Sequence, residues 1–274
     1  MDCMELPAAP YLCGMEKNEY VRYEVADRIC YITIDRPDKR NALNYTLVSE
    51  LKDAFRTAEA DPNAKVVVLR ANGKAFCAGA DLEYLKRLQA YNFEENIQDS
   101  QHLMELFSII YRHQKVVIAQ IEGHAIAGGA GLATVCDFSF SIPEAKFGYT
   151  EVRIGFIPAI VMTFLVRKCG ELRAKELLLS GNIIDAETAI RYNMINRCFP
   201  ADEIKEKVRE FALQLCTQNS GQSMHVTKKM LADIQHFPIN DGLQFAAKMN
   251  AHARTTEDCK RGISAFLNKE KLEW

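Results

Sequence analysis

The 274-residue chain has no CxxC pair among its nine cysteines, and their odd number and scatter from Cys3 to Cys259 argue against a disulfide framework or a zinc site. No uncharged apolar run approaches the ~20 residues a membrane span needs, and Asp2 and Glu5 stand where a secretory signal would be apolar. No long Lys/Arg run occurs, and a formal net charge of -2 leaves no electrostatic footprint for nucleic acid or an anionic membrane. Internal repeats and low-complexity segments are missing too. These absences point to a reducing, cytoplasmic setting, no membrane or nucleic-acid partner, and a small-molecule ligand.

What is present is a core-forming composition, 48% hydrophobic and 26% charged, enough for one large domain or a domain with a helical appendage. Residues 1–18 hold Pro7, Pro10 and Gly14 without periodicity and read as a flexible leader. Residues 20–24 and 28–34 flank a turn at Ala26-Asp27 and read as a hairpin. After Asn44, a plausible N-cap, Leu47, Leu51, Ala54, Phe55 and Ala58 follow helical spacing up to Asp61-Pro62. Val66-Val67-Val68-Leu69, Val116 to Ile121 and Phe138 to Ile142 read as strands, the first two followed by helical stretches and the third by a loop over residues 147–157. Beyond about Pro200 only helices are expected, starting with Val208, Phe211, Ala212 and Leu215 and interrupted at Gly221 and Pro238. The alternation argues an α/β fold.

Two small-residue turns follow strand-like runs: Ala78-Gly79-Ala80-Asp81, and Ala127-Gly128-Gly129-Ala130-Gly131. Small side chains there let a ligand approach bare backbone N–H groups. The second turn does not fit G-x-G-x-x-G, nor does a Lys-Ser/Thr pair follow it as in a phosphate-binding loop. A nucleotide site is therefore rejected.

Asp35-Arg36-Pro37 with Arg40-Asn41-Ala42-Leu43-Asn44, then Ala75 to Asp81, then Gly123 to Gly131, then Phe147-Gly148-Tyr149-Thr150-Glu151-Val152-Arg153-Ile154-Gly155 occur in that order. Together they resemble the motifs of the crotonase, or enoyl-CoA hydratase/isomerase, superfamily, over the chain from about residue 20 to its end. The stretch Thr150 to Gly155 with Pro158-Ala159-Ile160 is most similar to methylglutaconyl-CoA-type hydratases. The resemblance implies a spiral of ββα units over residues 19–200, a helical trimerisation region over residues 201–274, and assembly as a homotrimer or a dimer of trimers.

Carried over position by position, the resemblance makes the N–H groups of Ala80 and Gly128 the two donors of an oxyanion hole for a thioester oxygen. It makes Glu151 the catalytic acid or base, and places Arg40, Ala42, Ala78, Asp81, Leu82, Phe266 and Lys269 along the CoA site. Coenzyme A enters as part of the acyl-CoA substrate, and no metal or redox cofactor is implied. The first of the two glutamates of family hydratases falls at Gly131 and is absent. Hydration of a 2-enoyl-CoA is the leading expectation. A Δ3,Δ2-enoyl-CoA isomerase using one glutamate is the alternative, and a non-catalytic acyl-CoA- or RNA-binding member of the fold is a third reading. Cys77 as a nucleophile and His124 as a base are both set aside in favour of packing roles.

Overall fold

The computed structural model describes residues 18–274, so the expected leader lies, apart from Asn18, outside the described residues. Runs rich in Val and Ile build a six-stranded sheet in the order β1 (Val21–Ala26), β2 (Ile29–Ile34), β3 (Val66–Ala71), β5 (Val116–Ile121), β7 (Phe138–Ser141) and β10 (Arg197–Cys198). β1 and β2 form an antiparallel hairpin and the other pairings are parallel. Ala26 pairs with Ile29, so the turn is Asp27-Arg28, one residue later than expected. Both turn residues have positive φ, 52° and 65°. That is the geometry that matches strand twist in a two-residue hairpin, here reached without glycine.

Both faces of the central strands β2, β3 and β5 are covered, which is why they read as largely apolar runs rather than alternating ones. Cys30, Ile32, Ile34, Val67, Leu69, Val117 and Ala119 share one core with Leu47, Leu51 and Phe55 of α1 (Tyr45–Ala60) and Leu106, Phe107 and Ile110 of α3 (Phe93–Arg112). Their neighbours in sequence, Ile29, Tyr31, Val66, Val68, Val116 and Ile118, pack on Ile204, Val208, Ala212 and Leu215, one stripe of α7 (Ile204–Gln218). α1 begins where expected, with the Asn44 side chain accepting from the Leu47 N–H at 2.8 Å.

A second, smaller sheet sits at the C-terminal ends of β3 and β5. It consists of β4 (Ala75–Cys77), β6 (His124–Ile126), β8 (Lys146–Gly148) and β9 (Ile183–Asp185), the first three mutually parallel. Each unit thus runs long strand, bend, short strand, helix: β3 and β4 lead to α2 (Leu82–Leu88), and β5 and β6 lead to α4 (Gly128–Val135). The 147–157 segment is accordingly not all loop, because it contains part of β8 and a 3-10 turn, Glu151–Ile154. Three-residue strands are too short to register as a period. α5 (Ala159–Ser180) bends at Gly170, α6 (Ala186–Arg191) leads toward β10, and α8 (Gly221–Asp233), α9 (Ile239–Ala253) and α10 (Glu257–Asn268) complete the chain. Among the described residues no helix is long and apolar enough to cross a membrane.

β4 and the start of α4 approach one another more closely than side chains allow. A Cβ on Gly129 would collide with the Cys77 carbonyl and lie 2.8 Å from the Cys77 Cβ. Gly129→Ala should therefore lower unfolding free energy by about 1–3 kcal/mol through overpacking. A denaturant midpoint equal to that of the native protein would show that β4 and the start of α4 separate freely.

Candidate active site

Because β4, β6 and β8 run parallel and side by side, the turns that leave them emerge together. The first is Ala78 to Asp81, the second Ala127-Gly128, and the third Tyr149 to Glu151. Contacts between backbones fix their spacing. Gly79 has φ +88°, and a Cβ on it would stand 2.8 Å from the Ala127 Cβ. The Ala127 N–H donates to the Gly148 carbonyl at 2.7 Å, tying the second turn to the third strand. Ala127 itself has φ 52° and ψ -124°, a conformation that costs on the order of 1–3 kcal/mol for a residue with a side chain and that persists only where the surroundings enforce it.

A fourth segment, residues 36–44, closes the group. Asn41 is fully buried and bonds its side-chain amide to the carbonyls of Asn72 and Ala75, at 2.8 and 2.7 Å, while its Oδ1 accepts the Arg36 N–H. Leu43 then forms a parallel bridge with Ala80: its N–H donates to the Gly79 carbonyl at 2.7 Å and its carbonyl accepts the Asp81 N–H at 2.8 Å. The Leu43 side chain also stands against Gly128. Neither the Ala80 nor the Gly128 N–H donates to another group among the described residues. Gly128 opens α4, so its N–H belongs to the unsatisfied first turn of a helix, where the partial positive charge of the helix end adds to its pull on an anion.

Glu151 is half-buried at the start of its 3-10 turn, and its Oε2 is buried with no hydrogen-bond partner among the described residues. Desolvation holds its carboxyl above the ordinary glutamate range, partly offset by a hydrogen bond from its own backbone N–H. No ion pair joins it to Arg153. Behind it the buried Tyr149 hydroxyl pairs with the Thr134 Oγ1 at 3.1 Å, which binds the third turn to α4.

Gly131, one turn into α4, is where a second carboxylate would belong by resemblance. A Cβ there would collide with Val161 of α5 and approach the Phe107 ring of α3 to 3.0 Å. The position is packed with apolar side chains.

The remaining expected residues fall in two groups. Ala42 and Ala78 lie on the walls of the four-segment cluster, the Ala78 N–H donating to the Arg40 carbonyl at 3.1 Å, and Leu82 and Arg40 are exposed at its rim. The Asp81 side chain is engaged inside the protein, capping α2 through the N–H groups of Glu83 and Tyr84 and pairing with Arg36. Phe266 and Lys269 lie elsewhere. Their helix, α10, is tied to the opposite end of the main sheet, where Ser220 pairs with Asp258 and the Trp274 N–H donates to the Thr217 carbonyl. Phe266 is 83% exposed there.

Two residues set aside from the sequence have structural work. Cys77 is fully buried and its thiol is pushed up to about 12 by desolvation, so it is not a thiolate. His124 accepts the Lys146 N–H on its Nδ1, linking β6 to β8. Arg36, Asn41 and Tyr149, by contrast, were not singled out from the sequence. Their one signal was their place inside the quoted motifs.

Known proteins align with the chain along this whole frame. The family model described as enoyl-CoA hydratase/isomerase matches residues 24–274. A Syntrophomonas wolfei crotonyl-CoA hydratase is 31% identical over 259 residues, covering 93% of this chain and 98% of its own. The 2,3-dehydroadipyl-CoA hydratase of Escherichia coli is 30% identical over 246 residues, covering 88% and 93%. The crystal structure of an enoyl-CoA hydratase from Shewanella pealeana superposes with a TM-score of 0.88 at 27% identity, covering 94% of this chain and 97% of that one. With matches that span both sheets and the helical tail, the chain belongs to the enoyl-CoA hydratase/isomerase, or crotonase, family.

Proposed function

We propose that the protein is an enoyl-CoA hydratase that works with one carboxylate. The observation that carries this reading is the convergence of two unpartnered backbone amides, Ala80 and Gly128, with the half-buried Glu151, whose buried Oε2 has no partner, on turns set side by side by three parallel strands. In this reading the thioester oxygen accepts from both amides, and loss of one such donor would cost about 2.7–4 kcal/mol of transition-state stabilisation. Water attacks C3 while Glu151 takes one of its protons. The O–C3 bond forms, the C2=C3 π electrons move into the enolate, and Glu151 returns the proton to C2. The sum is addition of H and OH across the double bond, with the carboxylate regenerated.

The named relatives that are hydratases of crotonyl-CoA and 2,3-dehydroadipyl-CoA support this reading. Residues 150–155 with Pro158-Ala159-Ile160 support a placement nearest methylglutaconyl-CoA-type hydratases. The packing around Gly131 favours a second reading. With no room for a carboxylate there, Glu151 could instead take a proton from C2 of a 3-enoyl-CoA and return it to C4, as an isomerase does. Assays with crotonyl-CoA and 3-hexenoyl-CoA separate the two: hydration of the first is expected, and efficient isomerisation of the second without any hydration would overturn the first reading. Absence of both turnovers with retained CoA binding would favour a non-catalytic binding protein.

Because α10 packs away from the oxyanion turns of its own chain, Phe266 and Lys269 would reach a CoA site only on a second copy, which supports a homo-oligomer; the family likeness favours a homotrimer or a dimer of trimers.

Replacement of Glu151 has two expected effects of opposite sign. Glu151→Gln should cut turnover by roughly 10²–10⁴-fold. Burial raises the carboxyl's folded pKa, so folding favours the protonated form; the ionised group destabilises the native state above that pKa, and the penalty fades as pH falls through it. Glu151→Gln should thus melt at or above the native temperature at neutral pH, the gap closing in acid. A lower melting temperature at neutral pH would contradict the assignment.

Gly131→Glu tests the packed wall. It should destabilise by about 1–3 kcal/mol and leave hydration no faster, because Val161 and Phe107 fill the space. Adding Val161→Ala should recover part of the lost denaturant midpoint. A faster, fully stable Gly131→Glu enzyme would show that the wall yields.

A further inference from the structure

We infer that the buried Arg36–Asp81 ion pair is a positioning device for the Ala80 amide, acting on charge development in the acyl group rather than on CoA affinity. This rests on the acyl-CoA reading above and extends it to residues that touch no substrate. The pair is deeply enclosed: Arg36 Nη1 lies 2.7 Å from Asp81 Oδ2, with side-chain exposures of 9% and 6%. The same Nη1 donates to the Ala42 carbonyl at 2.9 Å, so one guanidinium holds the 36–44 segment and the 78–81 turn together. The Tyr20 ring covers the guanidinium 5.0 Å away.

Ala80 sits between two peptide planes that both depend on this clamp. The Gly79 carbonyl is fixed by the Leu43 N–H, and in a trans peptide the carbonyl and the N–H point in opposite directions. Pinning the Gly79 oxygen toward Leu43 therefore aims the Ala80 N–H away from the 36–44 segment. The next plane is pinned by the Asp81 N–H to the Leu43 carbonyl. Leu43 is held at its own register because Arg36 grips Ala42, one residue before it, and Asp81, one residue beyond Ala80. Asp81 has no free oxygen for a ligand, since Oδ1 accepts from Glu83 and Tyr84 and Oδ2 from Arg36.

A hydrophobic pair of similar volume commonly stabilises such a site as well as ions do, so stability alone does not account for a buried charge pair. What ions add here is direction. The guanidinium offers donors at fixed angles to two separate acceptors, which an ammonium of equal charge does not reproduce.

The test uses acetoacetyl-CoA, whose enolate has its own ultraviolet band, so the readout does not depend on turnover. The native protein should lower the enolisation pKa of bound acetoacetyl-CoA. In Arg36→Lys and Asp81→Asn that pKa should rise by about one unit or more, a tenfold loss of enolate stabilisation. In Arg36→Lys the Kd for CoA itself should stay within about threefold of native. Melting curves identify which variant is folded, and Arg36→Lys, which keeps the charge, carries the test if Asp81→Asn does not fold. A folded variant with the native enolisation pKa would overturn the proposal, as would loss of CoA affinity with the enolate unaffected. A native protein that binds no acetoacetyl-CoA would overturn the acyl-CoA reading itself, and this proposal with it.

Discussion

Between β4 and the start of α4, Gly129 lies against the Cys77 carbonyl and Gly79 against Ala127, with no space for a further carbon at either place. This backbone-to-backbone approach sets the distance between the turns that follow β4 and β6. The parallel pairing of β6 with β8 adds the third turn, and the Leu43 bridge fixes the orientation of the first. The long sheet, its central strands buried on both faces, supplies a rigid floor under the three short strands. Ala127 holds its strained conformation because everything around it is fixed in this way.

The same packing decides what chemistry the cluster supports. Backbone amides carry no charge to lose by titration and need no reorganisation when charge develops on an oxygen, which makes them suited to an enolate. Glu151 sits where burial has taken its oxygen out of water without giving it a partner, so the carboxyl exchanges a proton at a pH closer to neutrality than an exposed glutamate would. Val161 and Phe107 fill the space around Gly131 and leave no room there for a second carboxylate; in the proposed reading Glu151 alone moves protons in both directions.

Much of this frame was legible in the sequence, and the illegible parts share a physical cause. The runs at Val66 and Val116 and the Asn44 cap announced β3, β5 and α1, because long apolar runs and capping side chains are local signals. β4, β6, β8 and β9 are three residues each, too short to show a period, so the small sheet and the spiral came only through family likeness. The hairpin turn fell one residue late because Asp27 and Arg28 adopt positive φ without a glycine to mark them. Arg36 went unassigned because its partner, Asp81, is 45 residues away, and nothing local in Asp35-Arg36-Pro37 foretells a buried ion pair. Phe266 and Lys269 read as CoA contacts by resemblance, while the fold of their own chain puts them at the far end of the sheet.

The central claim is that three turns converge on one acyl group, and a crystal structure with an acyl-CoA bound tests it most directly. The expected result is a thioester oxygen about 2.7–3.1 Å from both the Ala80 and Gly128 nitrogens. The Glu151 carboxylate should then lie about 3–3.5 Å from C2 of the acyl chain. A thioester oxygen bound to other donors, or an acyl chain running away from Glu151, would contradict the account.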